Sequence, residues 1–263
     1  MLLIRPFVLP CLRFVVYGAT LIYPVSAVAQ QSAEQDSIRR WTGSLDVGLT
    51  LTSGNSNTSS VSVGLDVKYE LTNHRFTLKS TLVHQTDDPK TDTADVSVNK
   101  GRTTLQYDLK PGEKLFYLAK IAFSYDIPAG LSRQWAPGLG AGYALIKSSR
   151  VEFTPTLGAS WISRTFIDDS TSTGVYANLG ESFTLKIRNS ELTQSYTYSP
   201  LLNDLSNNIM HFDAALSSKF ASWVGLKLTL IYNYNSRPFT DDEGNVREKG
   251  DLTFLTTLNL TIP

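Results

Sequence analysis

The feature that most constrains this chain is a two-residue alternation of apolar and polar side chains, repeated from end to end. Leu45, Val47, Leu49 and Leu51 alternate with Ser44, Asp46, Gly48 and Thr50. Val61, Val63, Leu65, Val67 and Tyr69 alternate with Ser62, Gly64, Asp66 and Lys68. Leu226, Leu228, Leu230, Tyr232 and Tyr234 do the same, and Leu252, Phe254, Thr256, Leu258, Leu260 and Ile262 carry the pattern to the end. Successive side chains of a strand point to opposite faces, so this period marks strands with one apolar and one polar face. Past Ala29 no segment keeps a helical period with caps. The spacing predicts twelve strands, over 42–51, 59–70, 75–86, 95–108, 115–126, 135–145, 150–164, 174–186, 191–199, 208–218, 224–236 and 251–262.

Each segment is near or above the roughly 9–11 tilted residues that cross a bilayer. An open sheet edge cannot sit in hydrocarbon, so such a sheet must close, the twelfth strand pairing with the first. The expected fold is therefore all-β, a single antiparallel transmembrane β-barrel. The connections alternate between short ones such as 71–74 and longer polar ones such as 237–250, the pattern of periplasmic turns and outside loops. Aromatic residues gather at strand ends: Trp41, Tyr69, Phe76, Tyr107 and Trp223 at one, Tyr125, Trp135, Trp161, Tyr232 and Tyr234 at the other. Two such girdles are expected at the headgroup levels of a membrane barrel. The mean hydropathy of −0.11 would suit a soluble protein, whose sheet would instead bury one apolar face in a core.

Arg5 and Arg13, the apolar run that follows, and the small residues of Ala27-Val28-Ala29 predict a signal peptide over 1–29, cleaved after Ala29. Residues 30–40 read as a polar periplasmic leader and 41–263 as the barrel. Cys11, the only cysteine, leaves with the signal, so thiol chemistry and disulfides are not expected. Losing Arg5 and Arg13 leaves two more acidic than basic residues, with no basic block for nucleic acid. The expected partners are outer-membrane lipid and the barrel assembly machinery, with small solutes or ions if the lumen is open. No cofactor is expected.

Parity assigns to the lumen Asp46, Asp66, Lys68, Glu70, Arg75, Lys79, Lys120, Asp126, Glu152, Arg164, Asp213 and Lys227. Their signs are mixed. A channel of one selectivity favours rings of one sign, whereas mixed charges in a narrow lumen pair and fill it. Gly138, Gly140 and Gly142 face inward, where they let the strand bend and leave room for large side chains. His74 falls in a short turn, His84 lies near Asp87 and Asp88, and His211 shares a face with Asp213. A His–carboxylate site at the rim would serve a hydrolase. The leading expectation is a structural or narrow-pore envelope protein without catalysis; a small-solute channel comes next and a rim hydrolase third. Two segments break the alternation. Lys100 and Arg102 share parity with Val96 and Val98, which a bulge at Gly101 would reset. Glu181 shares parity with Val175, Leu179 and Phe183, which points it at lipid.

Trp41-Thr42-Gly43, the Ser53–Thr58 hairpin segment and the run Pro137-Gly138-Leu139-Gly140-Ala141-Gly142-Tyr143-Ala144-Leu145 carry a resemblance over Trp41–Pro263. They resemble the YdiY-like salt-induced outer membrane proteins, a family of unknown function. The resemblance implies an outer-membrane barrel and assigns no catalytic residue. The Ser53–Thr58 segment itself reads as turn chemistry, with Gly54 and Asn55 tolerating positive φ. The chain departs from such barrels in ending Thr261-Ile262-Pro263, where an aromatic residue is usual.

Overall fold

The computed structural model describes residues 40–52, 57–88, 95–240, 244 and 246–262. The signal and its Ala29 site, the leader up to residue 39, Ser53–Ser56 of the first hairpin, and Asp241–Glu243 lie outside the described residues. Twelve long strands run antiparallel: β1 (Arg40–Thr52), β2 (Asn57–Glu70), β3 (His74–Asp88), β4 (Asp95–Leu109), β5 (Leu115–Asp126), β6 (Leu131–Tyr143), β8 (Val151–Phe166), β9 (Thr171–Ile187), β10 (Ser190–Leu201), β11 (Asp204–Lys219), β12 (Val224–Asn235) and β13 (Gly250–Ile262). A two-residue piece, β7 (Ile146–Lys147), pairs with β8 in the turn before it. Neighbours in sequence are neighbours in the sheet, and β13 returns to β1 in register from Gly43 against Ile262 to Val47 against Leu258. The sheet is a closed twelve-stranded barrel.

One rim holds the start of β1 and the end of β13 and is called the near rim; the other is the far rim. Expected strand ends shift mainly at the far rim. The segments 127–134, 165–173 and 200–207, read as long loops, contract to tight turns as their flanking strands extend. The chemistry is local. The Asp126 carboxylate accepts the Ala129 amide at 3.2 Å, and that of Asp168 accepts Ser170 at 2.9 Å. Asp169 sits at φ 63° and Gly130 at φ 77°, conformations that Asp and Gly reach most readily. In the 168–170 turn, hydrogen bonds from Ser170 hold the Asp168 carboxyl below its ordinary value.

The alternation resolves into an apolar outer wall and a polar inner one. Leu49, Leu139, Leu157, Leu252 and Phe254 are each more than 60% exposed on the outside. Round the near rim Trp41 packs against Tyr69 (4.5 Å), Tyr69 meets Phe76 (6.5 Å), and Phe76 meets Tyr107 (5.0 Å), one ring from each of four successive strands. At the far rim Phe123 lies between Tyr125 and Trp135.

The bulge in β4 is not at Gly101. Gln85 pairs with Val98 and Thr86 with Val96, so Ser97 is the extra residue. The slip puts Val98, Lys100 and Arg102 on the inner face with Gln106 and Asp108. Gly101 faces outward, and a Cβ there would meet the Tyr125 ring at 2.6 Å and Leu82 at 2.7 Å. The glycines of β6 divide in role. Gly142 leaves space for Phe116, as expected for a large inward side chain. Gly140 instead faces Gly158 of β8, where a Cβ would meet the Leu157 carbonyl oxygen at 2.6 Å, so here the glycines admit backbone rather than side chain. Glu181 does face outward and accepts a hydrogen bond from Gln194 Nε2 at 3.3 Å, beside Pro155 and Tyr196 of the adjoining strands.

Candidate functional site: the charged lumen

The inner wall is held by three kinds of ion pair. The first lie along the wall, between strands one or two places apart, and are well packed. Arg75 Nε donates to Asp108 at 2.6 Å, and Gln106 Nε2 donates to the other oxygen at 2.8 Å. Asp108 is fully buried. The Arg75 guanidinium also lies 5.7 Å from the centre of the Phe116 ring, which fills the space over Gly142. The sequence does not mark Asp108 as inward, because the slip at Ser97 hides the parity of β4. Beside the seam, Asp46 accepts Lys227 Nζ at 2.6 Å and Asn259 Nδ2 at 2.6 Å.

The second kind is more exposed to water. Lys79 Nζ stands 3.8 Å from Asp66, and the Lys79 side chain is 60% exposed. Glu70 accepts Lys110 from the turn after β4, while Lys68 and Glu152 are exposed near the same rim.

The third kind crosses the interior. Lys100 Nζ on β4 donates to Asp251 on β13 at 2.5 Å, reaching past β1, β2 and β3. Asp126 lies within the field of both. Arg102 on β4 is within electrostatic reach of Asp213 on β11, the strand diametrically opposite in the ring. Lys120 lies close enough to repel Arg102. The Ser195 hydroxyl donates to Asp213, and His211 Nδ1 is 2.7 Å from Asn233 Oδ1.

The far rim is also crossed from above. Between β12 and β13 the chain carries Phe239 to the opposite side of the ring. There the ring stacks on Phe166 of β8 at 5.4 Å and occupies the space a Cβ on Gly130 would need. Phe239 is only 5% exposed. Arg237 Nη2 holds Asp204 at 2.5 Å, and Arg247 N donates to the Phe239 carbonyl at 2.9 Å. Arg164, facing inward below this segment, donates through Nη2 to the Tyr176 hydroxyl at 2.5 Å.

The histidines are not brought together. His84 faces the outer wall and His211 the lumen, on strands separated round the ring. His74 is the first residue of β3, not a turn residue. Its ring stacks on Tyr107, and its Nδ1 is 2.7 Å from that hydroxyl. Among the described residues no group of three or more His, Cys, Asp or Glu side chains is placed to hold a metal ion.

No curated protein matches the chain. Among solved structures it is similar to a NanC porin, at 10% identity and a TM-score of 0.44, covering 84% of this chain and 97% of that one. It is similar to an outer membrane channel from Pseudomonas putida F1, at 11% identity and a TM-score of 0.44, covering 89% and 97%. It is also similar to the translocator domain of the autotransporter NalP from Neisseria meningitidis, at 8% identity and a TM-score of 0.39, covering 96% and 97%. At identities this low none of them transfers a solute or a role. The YdiY-like grouping rests on the sequence motifs alone. Residues 45–262 match the family model described as a protein of unknown function, DUF481, and the chain belongs to that family.

Proposed function

We propose that this chain is an outer-membrane β-barrel of the bacterial envelope that acts as a narrow pore for small solutes or ions, without catalysis. The outer wall supports the membrane reading. Exposed Leu, Val and Phe between two aromatic belts form an apolar surface far larger than a water-soluble monomer carries. Its lipid contacts, and the assembly machinery that inserts such barrels, are the partners this reading implies. The near rim is then periplasmic and the far rim external. An epitope inserted at Asp242 should be reached by antibody on intact cells; labelling only after permeabilisation would reverse the orientation.

The observation that carries the narrow-pore reading is the Lys100–Asp251 pair, which spans the interior instead of lying along the wall. Twelve strands enclose more space than eight, whose interior side chains can fill, and less than the sixteen of a porin. Interior side chains therefore decide the free bore. In planar bilayers the wild-type protein should show low single-channel conductance. Lys100→Ala should raise it several-fold, whereas Lys79→Ala, which removes an exposed lysine beside the wall, should change ion preference more than conductance. A large, steady wild-type conductance untouched by Lys100→Ala would sink the narrow pore and favour an open channel.

A further inference from the structure

Beneath the Arg237–Thr240 segment lies a cavity of about 300 Å³, at the small end of ligand pockets. It is lined by Arg164, Ser170, Ser172, Asn207 and Arg237, with the stacked Phe166 and Phe239 rings forming an apolar side. Arg164 is 4% exposed and Asn207 is 8% exposed. Among the described residues Arg164 meets no carboxylate. Nη2 donates to Tyr176, the guanidinium carbon lies 5.7 Å from the centre of that ring, and Nε has no hydrogen-bond partner. The Asn207 Oδ1 atom likewise has none.

A buried guanidinium without an anion is strongly unfavourable, and its planar fork matches a carboxylate. A buried carbonyl oxygen without a donor is costly in the same sense and calls for an O–H or N–H group, which a sugar hydroxyl supplies. A carboxylate that also bears hydroxyls satisfies both. The volume limits it to about one sugar ring, whose apolar face can lie on Phe166 and Phe239. Arg237, fixed by Asp204, adds a second cation at the pocket edge. We propose that this cavity binds a hydroxylated carboxylate of monosaccharide size at the far rim. The inference stands whether or not the lumen conducts.

Calorimetric titration of the purified full-length barrel in detergent with D-glucuronate tests it, with D-glucose and sulfate as the neutral and inorganic controls. Glucuronate should bind, glucose should not bind measurably, and sulfate should bind at least tenfold more weakly. Arg164→Gln and Arg237→Gln should each weaken glucuronate at least tenfold. Asn207→Asp should abolish binding by placing an anion beside Arg164 and removing the neutral acceptor. Arg164 is buried, so Arg237→Gln and Asn207→Asp decide the matter if Arg164→Gln does not fold. No glucuronate binding, equal binding of glucose or sulfate, or affinity unchanged in Arg237→Gln and Asn207→Asp would each overturn the assignment.

Discussion

Arg75→Ala is expected to destabilise the barrel by about 3–5 kcal/mol, the cost of leaving a buried charge without its partner. Asp108 is fully buried, and its oxygens are met by Arg75 at 2.6 Å and Gln106 at 2.8 Å. Without the guanidinium, a carboxylate shut off from water keeps a single neutral donor. The Phe116 ring, which packs over Gly142 on one side and under Arg75 on the other, also loses its upper contact. The comparison is Lys79→Ala. Its pair with Asp66 is 3.8 Å long and the lysine is 60% exposed, so the loss should stay within about 1 kcal/mol. Urea unfolding from lipid vesicles, followed by tryptophan fluorescence, measures both. The double variant Arg75→Ala/Asp108→Ala should recover part of the loss, since it removes the orphaned anion along with its partner. Equal costs for Arg75→Ala and Lys79→Ala would mean that burial of Asp108 does not govern the pair.

What the alternation makes legible is which face each residue takes, because a strand turns its side chains over with a fixed period of two. The inward placement of Asp46, Asp66, Lys120 and Lys227 and the outward placement of Leu45, Val61 and Leu228 all follow from that period. It fails where the period is interrupted. One extra residue, Ser97, turns over everything after it in β4 relative to Val96, so Asp108 reads as outward and Lys100 as a break in the pattern, although both are in close ion pairs of the inner wall. Contacts across the lumen are illegible for a different reason. Even once Lys100 and Asp251 are both placed inward, which inward groups meet depends on how the closed wall staggers and curves, and no local pattern encodes that. The Arg164–Asn207 cavity has the same origin. Its residues come from β8, the turn to β9, β9 itself, β11 and the segment after β12, and the polar ones each read alone as ordinary side chains. The far-rim turns look long in the sequence because their polar residues resemble loop composition. Asp168 and Asp126 instead use their carboxylates to close tight turns, so polarity there marks turn chemistry rather than length.

Leu228→Arg is expected to cost about 2–4 kcal/mol, the range for a cation near the midplane of a membrane barrel. Leu228 lies on the outer face of β12 between Leu226 and Leu230, opposite Leu216 on β11 and Thr256 on β13. Trp223 marks the near end of this strand and Tyr232 and Tyr234 the far end, so residue 228 sits between the belts. An arginine there cannot reach water without bending along several residues of apolar wall. Thr229, one residue on, faces inward between Ala215 and Leu255. The same substitution at Thr229 should cost much less, since the guanidinium enters an interior already lined with carboxylates such as Asp46 and Asp213. Folding of both variants into vesicles of defined chain length gives the readout. Thinner bilayers should lessen the Leu228→Arg penalty, because the charge then lies nearer a headgroup, and should leave Thr229→Arg unchanged. Equal penalties at the two positions, insensitive to bilayer thickness, would show that the apolar wall of this barrel does not face lipid.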